Sequence, residues 1–562
     1  VFVHSFNPQK KIMKQIHHKF LFLTLAVLAF TGCRKYLDIN ADPASPQNPN
    51  LASLLPPVTG VMSRTMVLQG LPISQYIQNF NHTSASENYD AHGGNAGGAG
   101  GNQLWRDFYT VQGTALNLII KKGILDEQWD YVGVAIALRA WGLQTATDVF
   151  GEMPYRQAWE PNRVYFEYDN QEYLYQAVDS LCRKALEYLN RSDGKVSQVL
   201  LARGDQVYQG DRSKWIKFVY GIMARNWHRL SNKGNYNPDS VIAYVDKSFA
   251  SNADNFMVVH TATRNDDSNP VGPARDNFVL RRQSRFIVQL LDGTIFRGNS
   301  DAASRDPRLS RMLCVSPDTA TTNNNMTNLN GGYRFMLPGA GYAVGATGTV
   351  EFRRAPSTPW GDSAITNPGL NNFSARLGKY LFQNNAAFPI MTYFELQFIK
   401  AEAAFRKVPG SAIAHTAYMN GITAHFDFVN GVNTTANGVT QIPLASRTAY
   451  LASAAVKQNP AVLRLTDIML QKYIGDFGWN FVECWSDLRR YHYYDLDPAT
   501  DTPVYMGFTT ITIFSANNLG QKLAYRFRPT NVSEFDWNLD ELRKIGATNT
   551  DYHTYEMWFS KP

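Results

Sequence analysis

From Phe20 to Phe30 the chain is apolar at every position but Thr24, and it then runs through Thr31 and Gly32 to Cys33. Lys14, His17, His18 and Lys19 come just before it. A charged zone, an apolar zone and a small-residue zone in that order predict a secretory leader over Val1–Gly32, with Met13 as its natural start. The apolar run is too short for a permanent span, which takes ~20 residues. After Cys33 the stretch RKYLDINADPASPQNPN is rich in Pro, Asn and Asp, and it predicts an extended tether over residues 33–50.

Beyond the tether the apolar period becomes helical. Val58–Gln69 predicts a first helix with Pro56 and Pro57 at its start. Asn102–Gly123 and Glu127–Phe150 predict two more. In the second of these, Tyr131, Val134, Ala135, Leu138, Trp141 and Gly142 recur at intervals of three and four and mark one packed face. Asp169–Asn190, Asp211–Lys233 and Val241–Phe249 continue the series. From Asn252 to Phe388 the period fades and Gly, Pro, Asn and Thr dominate; loops of such length serve function or are disordered. Helices return at Phe388–Lys407 and Ser411–Val429, divided by a Pro409-Gly410 turn, and a third pair is expected over Ser446–Val456 and Ala461–Arg490. The tail from Ala499 is irregular, with a strand expected at Phe508–Phe514.

Pairs of this length fit helix-turn-helix repeats of the tetratricopeptide kind. The expected class is mainly α, with little β: tetratricopeptide-like helix pairs form a right-handed scaffold, and a loop-rich region near 252–388 faces the ligand. Residues 51–562 are expected to make one domain.

The charge balance excludes one broad class. The chain has 54 basic and 47 acidic side chains; four of the lysines and none of the acids lie in the leader, so the mature balance is +3. No dense Lys/Arg tract is present, which argues against a nucleic-acid partner. The cysteines are Cys33, Cys182, Cys314 and Cys484, too few and too far apart for a disulfide scaffold or a zinc site. Cys182 and Cys484 fall in helical apolar patterns and read as core thiols. Phe30-Thr31-Gly32-Cys33 has the form of a bacterial lipobox, with Phe30 where Leu is usual. Cys33 is therefore the expected lipidation site, and several acyl chains there would hold the protein to a membrane without a spanning helix.

Catalytic and cofactor motifs are missing. There is no His-Glu-x-x-His and no Gly-x-Ser-x-Gly. The glycine-rich stretch AHGGNAGGAGG lacks the Gly-Lys-Ser/Thr of a phosphate cradle and reads as a long mobile loop. His260 stands alone and is expected to be an ordinary satisfied histidine. Asp495, Asp497 and Asp501 form an acidic loop without the glycine and terminal glutamate of an EF-hand; it reads as a solvated loop, with structural calcium as the alternative. Glu395 and Glu402 share a helix face, but the flanking apolar stripe points to a structural role, bonded to a neighbouring helix or an arginine. Trp485 and Arg489 are an i, i+4 packing pair.

Six segments, in order along the chain, resemble the SusD/RagB family. They are Cys33–Asn40 (CRKYLDIN), Asp148–Tyr155 (DVFGEMPY), Tyr208–Asp211 (YQGD) with Lys214–Phe218 (KWIKF), Arg305–Leu309 (RDPRL), Pro389–Ala403 (PIMTYFELQFIKAEA), and Gln471–Ile474 (QKYI) with Trp485–Arg490 (WSDLRR). The resemblance implies a lipid-anchored protein of the outer membrane that faces the cell exterior and is not an enzyme. It also implies a SusC-like TonB-dependent barrel as partner and an oligosaccharide, or in some branches a peptide, as cargo; a secreted glycoside hydrolase is the rival from another class. Of functional positions only Cys33 carries over. Aromatic side chains in or beside loops supply flat platforms for sugar rings, and the candidates are Tyr89, Trp105, Tyr333 and Trp360. Asn79, Asn81 and Arg353 are candidate polar neighbours.

Overall fold

The computed structural model describes residues 49–85, 87–94, 102–315, 333–341, 356, 358–361, 379–432, 441–509, 514–529 and 532–562. The leader, Cys33 and its tether, residues 95–101 of the glycine-rich stretch, Arg353 and residues 510–513 of the expected strand lie outside them.

The helices that matter are α1 (Leu51–Tyr76), α2 (Gly113–Leu125), α3 (Trp129–Phe150), α4 (Gln171–Leu189), α5 (Arg212–His228), α6 (Pro238–Lys247), α7 (Arg285–Leu291), α8 (Tyr393–Lys407), α9 (Ala412–Gly431), α10 (Leu444–Leu451), α11 (Leu465–Asp476) and α12 (Phe481–Arg490). Helix α2 packs on α3, α3 on α4, α4 on α5, α5 on α6, α6 on α8, and α8 on α9, so a run of neighbours builds the expected mainly α array of helix pairs. Helices α11 and α12 close it from inside, α11 against α8 and α12 against α1. Local sequence sets many of the starts. Asn170, Asp211, Asn237, Thr392 and Ser411 each accept a backbone N–H of the first turn of the helix that follows.

Strands are few and short. β1 (Phe80–His82) pairs antiparallel with β3 (Arg281–Gln283), and β2 (Phe256–Val258) pairs antiparallel with β4 (Phe388–Met391).

Three expected boundaries are corrected. Helix α1 starts seven residues before Val58 and carries Pro56, Pro57 and Pro72 inside it. An interior proline costs about 3 kcal/mol, and here Leu51 and Leu55, both buried, hold the first turns down against the core. Phe388–Met391 is a strand, not the start of a helix; four consecutive apolar residues fit either state, and pairing with β2 decides it. The stretch expected as one helix over Ala461–Arg490 starts at Leu465 and breaks at Gly478, whose φ of +84° favours glycine. A Cβ there would also lie 2.8 Å from the Phe382 ring.

Candidate ligand-binding face

Two of the loops that carried candidate aromatics are tied together by one buried carboxylate. Asp90 accepts from the Gln75 amide (2.8 Å), the Asn81 amide (3.2 Å), the His82 backbone N–H (3.1 Å) and the Gly339 backbone N–H (3.2 Å). It thus joins α1, β1 and residues 333–341. Gly341 rests directly on the Ala85 backbone, where a Cβ would not fit. Burial pushes the Asp90 carboxyl up to about 6, against the pull of these hydrogen bonds. A third segment joins the group: Ser515 donates its N–H to Ala91 O (3.0 Å), and the Asn517 amide donates to Gly94 O (2.8 Å).

Beside residues 333–341 lies a cleft of about 410 Å³. Tyr333 forms one side and the buried Tyr450 of α10 another, while Arg297, Arg305 and Ser446 supply polar walls. Tyr333 is half-buried, and its hydroxyl is pushed up to about 12 by burial, so it stays a neutral donor and acceptor. Arg297 donates to Ala303 O (3.1 Å) and Arg305 to Ser300 O (3.3 Å), which shapes the 297–305 loop around the opening. Asp306 is in the wall too, but its carboxylate accepts from the Arg308 guanidinium (2.6 Å). An aromatic side chain set among hydrogen-bonding groups in a concave site is what holding a sugar ring requires.

Two other hollows fit that task less well. One, of about 500 Å³, lies between the start of α1 and β2. Its lining includes Met257, Val258, His260 and the Arg264–Asp266 ion pair, and no Phe, Tyr or Trp. His260, expected to be satisfied, is so on one side only: Nδ1 lies 3.2 Å from the Asp267 carbonyl oxygen, and the buried Nε2 has no hydrogen-bond partner among the described residues. The second, of about 180 Å³, is bounded by Trp105, Tyr109, Phe166 and Glu534.

Of the four candidate aromatics, the structure puts Tyr333 in the 410 Å³ cleft. Tyr89 is half-buried and stacks on Phe527 at 6.3 Å. Trp105 is 2 % exposed and packs edge-on against Phe150 at 5.1 Å, so it is a core residue that only borders the small hollow. Trp360 is also 2 % exposed, and its Nε1 donates to Val271 O at 2.6 Å. Its proline- and glycine-rich surroundings suggested exposure; instead the backbone there wraps the ring into the core, and Cys314 Sγ bonds Pro359 O alongside (3.4 Å). Asn79 and Asn81 are buried as well: Asn79 accepts from Gly478 N (3.0 Å), and Asn81 serves Asp90. Tyr450, Arg297 and Arg305 were not singled out from the sequence. Tyr450 sits in a plain helical pattern, and Arg305 was visible only as part of RDPRL.

The paired carboxylates are structural, as their apolar flanks implied. Glu395 accepts from Arg225 (2.5 and 2.6 Å) and Glu402 from Arg490 (2.7 and 2.8 Å). Arg489 lies over the Trp485 ring at 3.8 Å. In the acidic loop, Asp497 turns its oxygens onto the amides of Leu465 (2.8 Å) and Ala499 (2.9 Å), while Asp495 meets His492 (2.7 Å). Among the described residues, no three His, Cys, Asp or Glu side chains gather as a metal site.

An array of helix pairs that carries a loop-built face with an aromatic cleft defines a helical-scaffold protein. The chain belongs to the SusD-like family described as starch-binding and associating with the outer membrane, whose model matches residues 60–506. Solved structures of the same fold include a chitin-binding protein, 21 % identical over 91 % of this chain and 100 % of that one, with a TM-score of 0.67. A SusD/RagB family protein from Bacteroides thetaiotaomicron is 19 % identical over 91 % of this chain and 99 % of its own, at a TM-score of 0.64. A chitin-binding SusD homolog from Flavobacterium johnsoniae is 18 % identical over 91 % and 98 %, at 0.58. At these identities the likeness is one of fold. No curated protein sequence matches the chain.

Proposed function

We propose that this protein captures a nutrient glycan at its loop-built face and passes it, unbroken, to a SusC-like TonB-dependent barrel in the outer membrane. Acyl chains on Cys33 hold it at the cell exterior. Membership of the SusD-like family supports the import role and the membrane. The observation that carries the ligand class is the cleft where Tyr333 and Tyr450 meet Arg297, Arg305 and Ser446. A sugar has an apolar face and a rim of hydroxyls; Tyr333 supplies a surface for the face, and the guanidinium and hydroxyl groups meet the rim. The acid–base pairs that sequence alone could suggest for hydrolysis are locked in buried ion pairs, where no substrate reaches them.

A glycan array probed with the purified mature protein tests this reading. Binding that weakens in Tyr333→Ala, with no release of shorter sugars, supports it. Release of reducing ends at a steady rate favours a hydrolase, and binding of peptides in place of sugars favours the peptide branch of the same import system. Co-purification of a large barrel with the lipidated protein tests the partner.

A further inference from the structure

His492 stands between two carboxylates. Its Nδ1 lies 2.7 Å from Asp495 Oδ2 in the same turn, and its Nε2 lies 3.0 Å from Glu556 Oε1 in the C-terminal segment. A neutral imidazole has one N–H and one bare nitrogen, and a bare nitrogen gives a carboxylate oxygen no proton to accept. Both contacts are hydrogen bonds only when the ring carries its second proton, so this geometry belongs to the imidazolium. Burial works to lower the ring's hold on that proton, but Asp495 and Glu556 outweigh it and keep His492 above its usual 6.5. The three side chains are 35, 43 and 32 % exposed, open enough for water to exchange the proton. Tyr525 interacts with both carboxylates, and burial pushes its hydroxyl up, so it stays neutral. Lys233, beyond α5, interacts with Glu556 and donates to the Pro562 carbonyl oxygen (3.3 Å).

The bridge lies where the backbone is strained. α12 ends at Arg490, and His492 and Tyr493 follow with φ of +44° and +65°, in the left-handed region that side chains disfavour. On its other side the bridge holds a segment with few further ties. Arg526 donates to the carbonyl oxygens of Tyr555 (2.9 Å) and Glu556 (3.1 Å), and Phe559 N donates to Gln171 Oε1 (3.2 Å). The Asn232 amide joins the two sides, through Arg490 O (2.7 Å) and Ser560 O (2.8 Å).

We propose that His492 is a proton-operated clasp: its imidazolium fastens residues 552–562 to the turn after α12, and its neutral form lets the Glu556 side go. The Asp495 contact is the shorter one and lies within the turn, so it keeps the remaining N–H. Glu556 still has the Ser560 hydroxyl as a donor (3.0 Å). A histidine raised on folding gives a tie that is complete below its unfolded value and is lost as pH rises through the folded one. The clasp is therefore closed in mild acid and opens in mild base.

Two measurements on the mature protein test this. Titration of the His492 Cε1–H signal by NMR, identified by its absence in His492→Asn, should give a value above 6.5 that falls in Glu556→Gln. Hydrogen exchange read by mass spectrometry, corrected for the intrinsic effect of pH on exchange, should show the amides of Tyr555, Phe559 and Ser560 about two- to fivefold less protected at about pH 8.5 than at about pH 6, the scale of a solvent-screened ion pair. Asparagine tolerates left-handed backbone and does not titrate. In His492→Asn the difference should vanish, with the segment at its less protected level at both pH values. Glu556→Gln, which leaves the strained turn untouched, should do the same. A His492 value at or below 6.5, or protection that is the same at both pH values in the wild type, overturns the clasp. Loosening with pH that persists in both variants overturns its assignment to His492.

Discussion

Arg490 and Glu402 meet fork to fork at the centre of the helix array, Nη1 to Oε1 at 2.7 Å and Nη2 to Oε2 at 2.8 Å, with neither side chain exposed. Arg490 also holds Asp487 (2.6 Å), and Lys472 bridges Asp487 (2.7 Å) to Glu483 (2.8 Å). Glu483 in turn shares Arg229 with Asp148. The chain of pairs links α3, α8, α11, α12 and the turn that follows α5. Glu402→Gln leaves Arg490 charged, buried and short of an anion. Breaking such a pair from one side costs about 3–5 kcal/mol, and urea denaturation should show a loss of that order. Arg490→Met combined with Glu402→Leu should cost less than the two single changes added together, because neither variant then strands the other's partner. A loss below about 1 kcal/mol for Glu402→Gln would mean that water or a shifted neighbour fills the gap.

The same network sets the response to acid. Burial works to raise the Glu402 and Glu483 carboxyls, but Arg490 and His228 on one, and Arg229 and Lys472 on the other, hold both well below the usual 4.5. A carboxyl depressed on folding gives stability that is complete above its unfolded value and is lost as pH falls through the folded one. Asp90 and Asp467 run the other way: burial lifts each from 3.8 to about 6. Their contribution is present at low pH and fades as pH rises through about 6. Four buried histidines outweigh them: burial holds His92 down at about 3, His228 and His553 at about 4 and His425 well below 6.5, so each protonates first in the unfolded chain. Thermal melts should therefore show stability falling as pH drops below about 6.5, and more steeply below about 4. Glu402→Gln and Glu483→Gln together should flatten that acid limb. Level stability from about pH 7 to 5 would contradict the assignment of neutral buried histidines.

Much of this network was readable as motif before it was readable as structure. Asp148 lies in DVFGEMPY, Asp306 and Arg308 in RDPRL, Glu395 and Glu402 in the Pro389–Ala403 segment, and Lys472, Asp487 and Arg490 in the last pair of segments. Those stretches carried the family resemblance, and the structure shows that the charged side chains just named in them are buried struts. The long helices were legible too, because a face such as Tyr131–Val134–Leu138–Trp141 repeats over several turns. Short elements were not: Phe388–Met391 is a strand through its partner β2, a contact far away in sequence. The ligand face was half legible. A loop-borne Tyr333 stood out, but Trp360 looked equally exposed, and only the path of residues 358–361 around the ring shows that it is not. Tyr450 had no local sign at all; its neighbours across the cleft make it a floor residue.

Tyr333 and Trp360 should therefore behave oppositely when truncated. Trp360→Ala removes a buried ring and strands the Val271 carbonyl, and the loss expected for such a change is about 3–5 kcal/mol in urea or thermal denaturation. Tyr333→Ala touches a half-buried ring at the cleft edge. Its main effect should be on glycan affinity, about tenfold weaker, with a small change in melting temperature. Loss of binding in Trp360→Ala at a temperature where the variant is still folded would return that tryptophan to the site.

Calcium removal should leave the melting temperature unchanged. Asp497 spends its carboxylate on the backbone: Oδ2 accepts from Leu465 N at the start of α11 (2.8 Å), and Oδ1 accepts from Ala499 N (2.9 Å). Asp497→Asn, by contrast, should destabilise, because an amide group would meet one of those N–H donors; a loss of about 1–3 kcal/mol is expected. A stabilising shift on adding calcium after chelation would restore the loop as a metal site.

Asp90 makes the most local prediction. All four of its described partners are donors: two side-chain amides and the N–H groups of His82 and Gly339. Asparagine at this position keeps the size but exchanges one acceptor oxygen for an N–H₂ group, so at least one donor is left facing another donor. The Gly339 contact is the one most easily given up, since it comes from a separate loop, whereas Gln75 and His82 belong to a helix and a strand. Asp90→Asn should thus loosen residues 333–341 from residues 83–94 while α1 and β1 stay in place. Hydrogen exchange read by mass spectrometry should show the 333–341 amides exchanging about tenfold faster or more, a loss of one buried hydrogen bond to a charged group. Because Tyr333 opens that segment, glycan affinity should fall in the same variant even though Asp90 does not line the cleft. Unchanged exchange in 333–341 together with unchanged affinity would mean that the two loops are held by the Gly341–Ala85 contact alone.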